Sequence, residues 1–184
     1  MHAHRPLATT LLVLTGLVLT ACDSVEFVHP LTGTTPFDEQ KEVEGMWLQE
    51  GNAVHVNFLS NECALLGSLE FKDGAYHIEQ MPAWFVARGD CRYVNIRGNG
   101  DDGSTNYSLA RYRLTDSGDL VVWGAHVPSF AEAVEQGTLT GSVERGTHAT
   151  SVVVENSSSA LNSFIDLHTD VFQYTEPLIF RRAK

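Results

Sequence analysis

Positive charge is scarce in this 184-residue chain: 12 Lys and Arg stand against 23 Asp and Glu, a formal net charge of −11. So acidic a chain repels phosphate backbones and anionic head groups, which excludes nucleic acid as a partner. Cysteine is scarce as well, at 3 residues. No CxxC or HxxxH spacing accompanies them, so no zinc site is expected. Long apolar runs are missing: a membrane-spanning helix needs about 20 residues, and the longest stretch, Leu11 to Leu19, ends too soon. With no nucleophile elbow or phosphate-cradling loop, no catalytic residue and no cofactor are assigned. Hydrophobic residues at 43% are nevertheless enough for one globular domain.

What the chain does have begins at its start. Met1 to Arg5 is short and basic, Leu11 to Leu19 is apolar, and small residues follow. This is the anatomy of a secretory signal over residues 1–21. The run closes with Leu19-Thr20-Ala21-Cys22, which resembles the lipobox of bacterial lipoproteins. The resemblance implies cleavage before Cys22, a diacylglycerol thioether on its sulfur and an acyl group on the new amino terminus. Several acyl chains hold a protein to a bilayer where one would not, at about 0.8 kcal/mol per buried CH₂. The expected location is the bacterial cell envelope, anchored by lipid and facing the periplasm. In the same family of signals, aspartate after the cysteine goes with the inner membrane. Asp23 therefore favours that leaflet over the outer membrane. Removing residues 1–21 takes away Arg5 and no acidic group, so the mature chain is more acidic still.

Lipid on Cys22 leaves Cys63 and Cys91. Two thiols in an oxidising compartment predict one disulfide, with two separately buried thiols as the alternative.

Residues 22–35 carry Pro, Thr and Gly with little periodicity and are expected to be a lipidated tether. Residues 36–184 are expected to form a single β-rich domain. Thr35-Pro36-Phe37-Asp38 should open a short helix with Thr35 as its cap, and Gly45 should end it. From Met46 the signals are mainly β. Val54, Val56 and Phe58 alternate with His55 and Asn57. Asp73-Gly74 predicts a two-residue hairpin pairing Lys72 with Ala75, Phe71 with Tyr76, Glu70 with His77 and Leu69 with Ile78. The apolar pairs share one face, expected to be the buried one, and His77 faces Glu70 on the solvent side. Asp116-Ser117-Gly118 predicts a second hairpin pairing Leu114 with Leu120, Tyr112 with Val122 and Arg111 with Trp123. Ser129 to Glu132 has capping-box spacing, and Leu161, Phe164, Ile165 and His168 have helical period. The fold class is thus mainly β: an antiparallel, strongly curled or closed sheet with about three short helices.

One constellation could bind a ligand. Tyr107, Arg111 and Arg113 share a strand face with Trp123 across the hairpin. Lining a barrel interior, they would suit an anionic or amphipathic molecule. On an outer face, Arg111 would lie over Trp123 as a cation–π contact. Tyr112, Leu114, Leu120 and Val122 form the opposite, more apolar face, the better core.

Gly45-Met46-Trp47 resembles the Gly-x-Trp that opens the first strand of lipocalin-like domains. Arg92 to Asn95, Tyr107 to Tyr112, Gly137 to Gly141 and Glu176 to Arg182 extend a likeness to small lipocalin-like bacterial lipoproteins. That resemblance implies a lipocalin-like barrel, with the helices at Ser129 and Leu161 as departures from it. The expected function is a non-enzymatic, lipid-anchored envelope protein that binds a small ligand or a protein partner. The alternative is an envelope enzyme of hydrolase type whose residues converge only in three dimensions.

Overall fold

The computed structural model describes residues 23–183 apart from 62, 73, 100–103 and 173–175, and of Phe37 and Lys72 it describes only the backbone. Cys22, Asp73 and the loop at 100–103 lie outside the described residues.

Among the described residues, eleven strands form one sheet. Eight of them close on themselves: β2 (Gly45–Gln49), β3 (Asn52–Phe58), β4 (Ala64–Lys72), β5 (Ala75–Arg88), β6 (Cys91–Asn99), β7 (Thr105–Leu114), β8 (Leu120–Gly124) and β11 (Leu178–Arg182). Each neighbour in that ring is antiparallel, β11 returning to pair with both β8 and β2. The molecule is mainly β, a closed antiparallel barrel of the lipocalin-like kind. Closure removes most of the free edge that an open sheet would leave.

Turn chemistry sets the registers. Lys72 pairs with Ala75 and Leu69 with Ile78 around Gly74, whose φ of 79° suits a two-residue turn. Leu114 pairs with Leu120 and Arg111 with Trp123, again as expected. Barrel closure then sorts the side chains by parity. Val54, Val56, Leu66, Phe85, Val94, Ala110, Tyr112, Leu120 and Phe180 turn inward around Trp47, which is fully buried. The expectation that Tyr112, Leu114, Leu120 and Val122 face the core is met.

Between β8 and β11 the chain makes an excursion: α2 (Val127–Glu135), β9 (Gly141–Arg145), β10 (Thr150–Val154), α3 (Ser158–Leu167) and a 3-10 turn (Thr169–Val171). It packs on the outside of β5–β8, so the helices that depart from a plain barrel leave the lumen free. Phe130, Leu161, Ile165 and Phe172 meet Val86, Tyr93, Leu109 and Trp123 of the wall in a second core. α2 begins earlier than its Ser129 signal, because Pro128 suits the first turn; Ser129 instead bonds the His126 ring at 2.8 Å. His168, expected on an apolar face, is exposed at the end of α3 and stacks on Phe164.

Three further expectations change here. First, the described part of the expected tether, residues 23–35, is not free chain. Ser24–Phe27 forms β1, parallel to β10, and Phe27 is buried against Phe130. Leu31 is held to β6 by Asn95, whose Oδ1 accepts the Leu31 N–H at 2.7 Å while Nδ2 donates to its carbonyl at 3.0 Å. Second, Pro36 rather than Thr35 precedes α1 (Phe37–Val43), and the Thr35 hydroxyl makes no capping bond. Third, Cys63 and Cys91 are free thiols. Cys63 adjoins Ala64, which pairs with Ala83, while Cys91 pairs with Arg88. With β5 between them, two strand spacings of ~4.8 Å already exceed the ~7 Å that a disulfide spans between Cα atoms.

Candidate functional site

The barrel lumen is closed at one end by α1. Glu39 forms a two-bonded ion pair with Arg92, one bond being 2.6 Å from Nη2 to Oε1. Gln40 donates through Nε2 to the Asn61 carbonyl at 2.7 Å. Val43 enters the inner core, and the Trp47 indole donates to its carbonyl at 2.8 Å. Arg182 stacks over Trp47 at 4.5 Å and donates to the Glu44 carbonyl at 2.8 Å. Gly45, at φ 124°, lets the chain turn from α1 into β2 directly beneath that arginine.

At the opposite end the inward positions become polar. The parity that buries Leu66 and Met81 carries on to Ser68, Glu70, His77 and Glu79. Gln49, Asn52 and Glu70 are half-buried there, and His77 and Glu79 are exposed. The lumen thus has a sealed apolar base and a polar rim.

Between them lies a cavity of about 100 Å³ with an almost wholly apolar lining. Two hydroxyls break that lining, Ser68 at 8% exposure and Tyr112 at 4%. Neither oxygen has a hydrogen-bond partner. Burial, reinforced by the nearby Glu39 carboxylate and opposed by Arg92, pushes the Tyr112 phenol far above its ordinary pKa. It therefore remains a neutral donor at any physiological pH. A buried hydroxyl without a partner costs about 1–3 kcal/mol. The arrangement can accept an apolar body carrying hydrogen-bonding atoms.

The residues singled out from the sequence sit elsewhere. Tyr107, Arg111, Arg113 and Trp123 share a face, as alternation indicates, but that face is the outside of the barrel. Trp123 and Tyr107 pack into the second core, and Tyr107 meets Trp84 edge-on at 5.9 Å. The Arg113 guanidinium lies over the Trp123 ring, at 5.9 Å. These four therefore do not line the lumen. Sequence reasoning placed Tyr112 in the core without marking it as a site residue, and passed over Ser68. The available signal was a serine continuing the inward parity of Ala64 and Leu66.

A larger cleft of about 510 Å³ follows the seam between β5–β6 and α3, beside Cys91 and Tyr93. Its charged groups already satisfy one another: Arg88 donates to Asp166 through Nε at 2.8 Å and to the Thr32 carbonyl at 3.0 Å. That pairing joins the excursion to the barrel. Among the described residues no group of three or more His, Cys, Asp or Glu could hold a metal ion, and no helix is long and apolar enough to cross a membrane.

No protein-family model, no curated protein and no solved structure matches this chain.

Proposed function

We propose that this chain is a lipid-anchored bacterial envelope protein, facing the periplasm, whose barrel takes a small, mainly apolar ligand into its lumen without catalysing a reaction. The observation that carries the reading is the pair of unpartnered hydroxyls, Ser68 and Tyr112, buried in an apolar cavity. A group that supplies their missing hydrogen bonds recovers a cost the empty site bears. At about 100 Å³ the chamber is smaller than the ~150 Å³ apolar cavity that encloses a benzene, so a single ring or the end of a short chain would fill it and project toward the polar rim.

The anchor is supported by the lipobox-like run ending at Cys22. Asp23 accepts the Thr150 N–H at 2.6 Å, and Ser24 is already in the sheet. A lipid on Cys22 then holds the barrel close to the head groups, within about 7 Å at ~3.5 Å per residue. Asp23 also keeps the inner membrane as the favoured leaflet.

Binding is tested with p-cresol and toluene, which share a ring and differ in a hydroxyl. Both should raise the melting temperature of the full chain, p-cresol more. Ser68→Ala with Tyr112→Phe should erase that preference and leave toluene binding intact. No shift with either probe, or an unchanged preference in the double variant, would overturn the lumen reading. The anchor is tested separately by metabolic labelling with a lipid precursor: label should vanish in Cys22→Ser, and its persistence there would refute the assignment.

A further inference from the structure

β5 outruns the barrel wall. Its ladder with β6 extends only from Arg88–Cys91 to Ala83–Ile96, whereas its ladder with β4 continues to Ala75–Lys72. Among the described residues, 75–82 consequently have β4 on one side and no ladder on the other.

The hydrogen-bonding phase of that free edge follows from the turn. In a two-residue hairpin the closing pair exchanges both backbone bonds, and every second pair repeats this. Ala75, His77, Glu79 and Met81 therefore aim their backbones at β4. Tyr76, Ile78, Gln80 and Pro82 aim theirs at the open side. Pro82 has no N–H to offer β6, and it stands where that ladder ends.

Proteins normally blunt such an edge with charge or brevity. Glu79, Gln80 and Pro82 lie along this edge, but two of its outward side chains are large and apolar: Tyr76 is 71% exposed and Ile78 is 74% exposed. Phe71 and Leu69 flank them on β4, with the Phe71 and Tyr76 rings 5.0 Å apart.

We propose that this edge is a dimerisation site, pairing antiparallel with the same edge of a second copy about a two-fold axis at Ile78. The sequence of the edge is complementary to its own reverse. Ile78 faces Ile78 of the second copy and Tyr76 faces Gln80, both in the hydrogen-bonding phase, giving about six inter-chain bonds. His77 faces Glu79 of the second copy in the intervening pairs, where Cα atoms approach to ~4.5 Å. Each imidazole then lies between that carboxylate and Glu70 of its own chain, with which it already pairs. On the outer side the two sets of Leu69, Phe71, Tyr76 and Ile78 join into one apolar surface. A closed isologous contact of this kind uses up the edge and stops at two copies.

The test uses the full chain in a Cys22→Ser, Cys63→Ser, Cys91→Ser background. Ile78→Cys should cross-link rapidly on oxidation, because a hydrogen-bonded pair holds its Cα atoms at ~5.5 Å, within disulfide range. Tyr76→Cys alone should not cross-link, while Tyr76→Cys with Gln80→Cys should. Sedimentation should show a dimer for the parent chain and its loss in Ile78→Lys, which sets two ammonium groups together at the axis. Ile78→Lys alters an exposed position, so an unchanged melting curve reports that the barrel is intact; Ile78→Pro gives the same readout by removing an edge donor. A monomeric parent chain, equal cross-linking of Ile78→Cys and a remote Leu48→Cys, or dimers that persist in both Ile78 variants would overturn the proposal. These outcomes are independent of whether the lumen binds p-cresol.

Discussion

The wall formed by β5–β8 and the wall formed by β2–β5 both turn apolar side chains outward, yet among the described residues only the first is covered. On the covered side Val86, Tyr93, Leu109, Val121 and Trp123 are sealed by the excursion between β8 and β11 and by the N-terminal strand. On the bare side Leu48, Ala53, Leu69 and Ile78 lie in register across four strands, and apart from Ala53 all are exposed. Alternation along a strand places an apolar residue on a face. Only the rest of the chain decides whether anything lies on that face. Burial of a large side chain is worth about 1.5–3 kcal/mol, so the covered wall carries stability and the bare wall is free to serve recognition.

The sharpest way to break that contrast is to truncate one aromatic on each side. Phe130 is fully buried and meets Phe27 edge-on at 5.3 Å. Phe130→Ala should destabilise by about 3–5 kcal/mol, while Phe71→Ala on the bare side should cost under about 0.5 kcal/mol, both read from denaturant unfolding. Similar losses for the two would mean that the bare wall is buried in the working state.

Next in size is Asn95→Ala. It strips the N–H and the carbonyl of Leu31 of their partners, at a cost of about 1–3 kcal/mol. Hydrogen exchange should then rise around Leu31 and Phe27 before it rises in β3. Uniform loosening of the whole molecule would argue against a separately held N-terminal layer.

The smallest expected effect is electrostatic. Its hydrogen bond to Arg88 holds the Asp166 carboxyl below its usual range. Because the folded pKa is depressed, the stabilisation is present above the unfolded value of about 3.9 and is lost as pH falls through the folded value. The pair is partly exposed, so solvent screening keeps its worth under about 1 kcal/mol. Melting temperatures of the parent chain and Asp166→Asn should differ near neutrality and converge in acid. A gap that persists at low pH would mean the contact acts by packing instead of charge.

Particular residues show where sequence reading succeeds and where it stops. The pairings Phe71–Tyr76 and Arg111–Trp123 were legible because a turn of two or three residues leaves a hairpin only one register. The buried face of the first hairpin was read in reverse. Leu69, Phe71, Tyr76 and Ile78 point outward, because Ser68 and Glu70 continue the inward parity that Ala64 and Leu66 establish within the barrel. The cysteine pairing failed for a related reason: compartment and count say nothing about β5 standing between Cys63 and Cys91. The lumen hydroxyls stayed hidden because an isolated serine and a core tyrosine acquire meaning only when both lack partners in one cavity.

The amino-acid order alone determined the antiparallel hairpins, their registers, the β-rich class and the acidic character, since each depends on neighbours close along the chain or on composition. Tertiary closure decided which parity faces inward, which wall is covered, that the thiols stay apart, and that Ser68 and Tyr112 share an apolar chamber. These depend on strands β2 and β11, far apart in the chain, meeting to complete a ring, and no local pattern encodes that meeting.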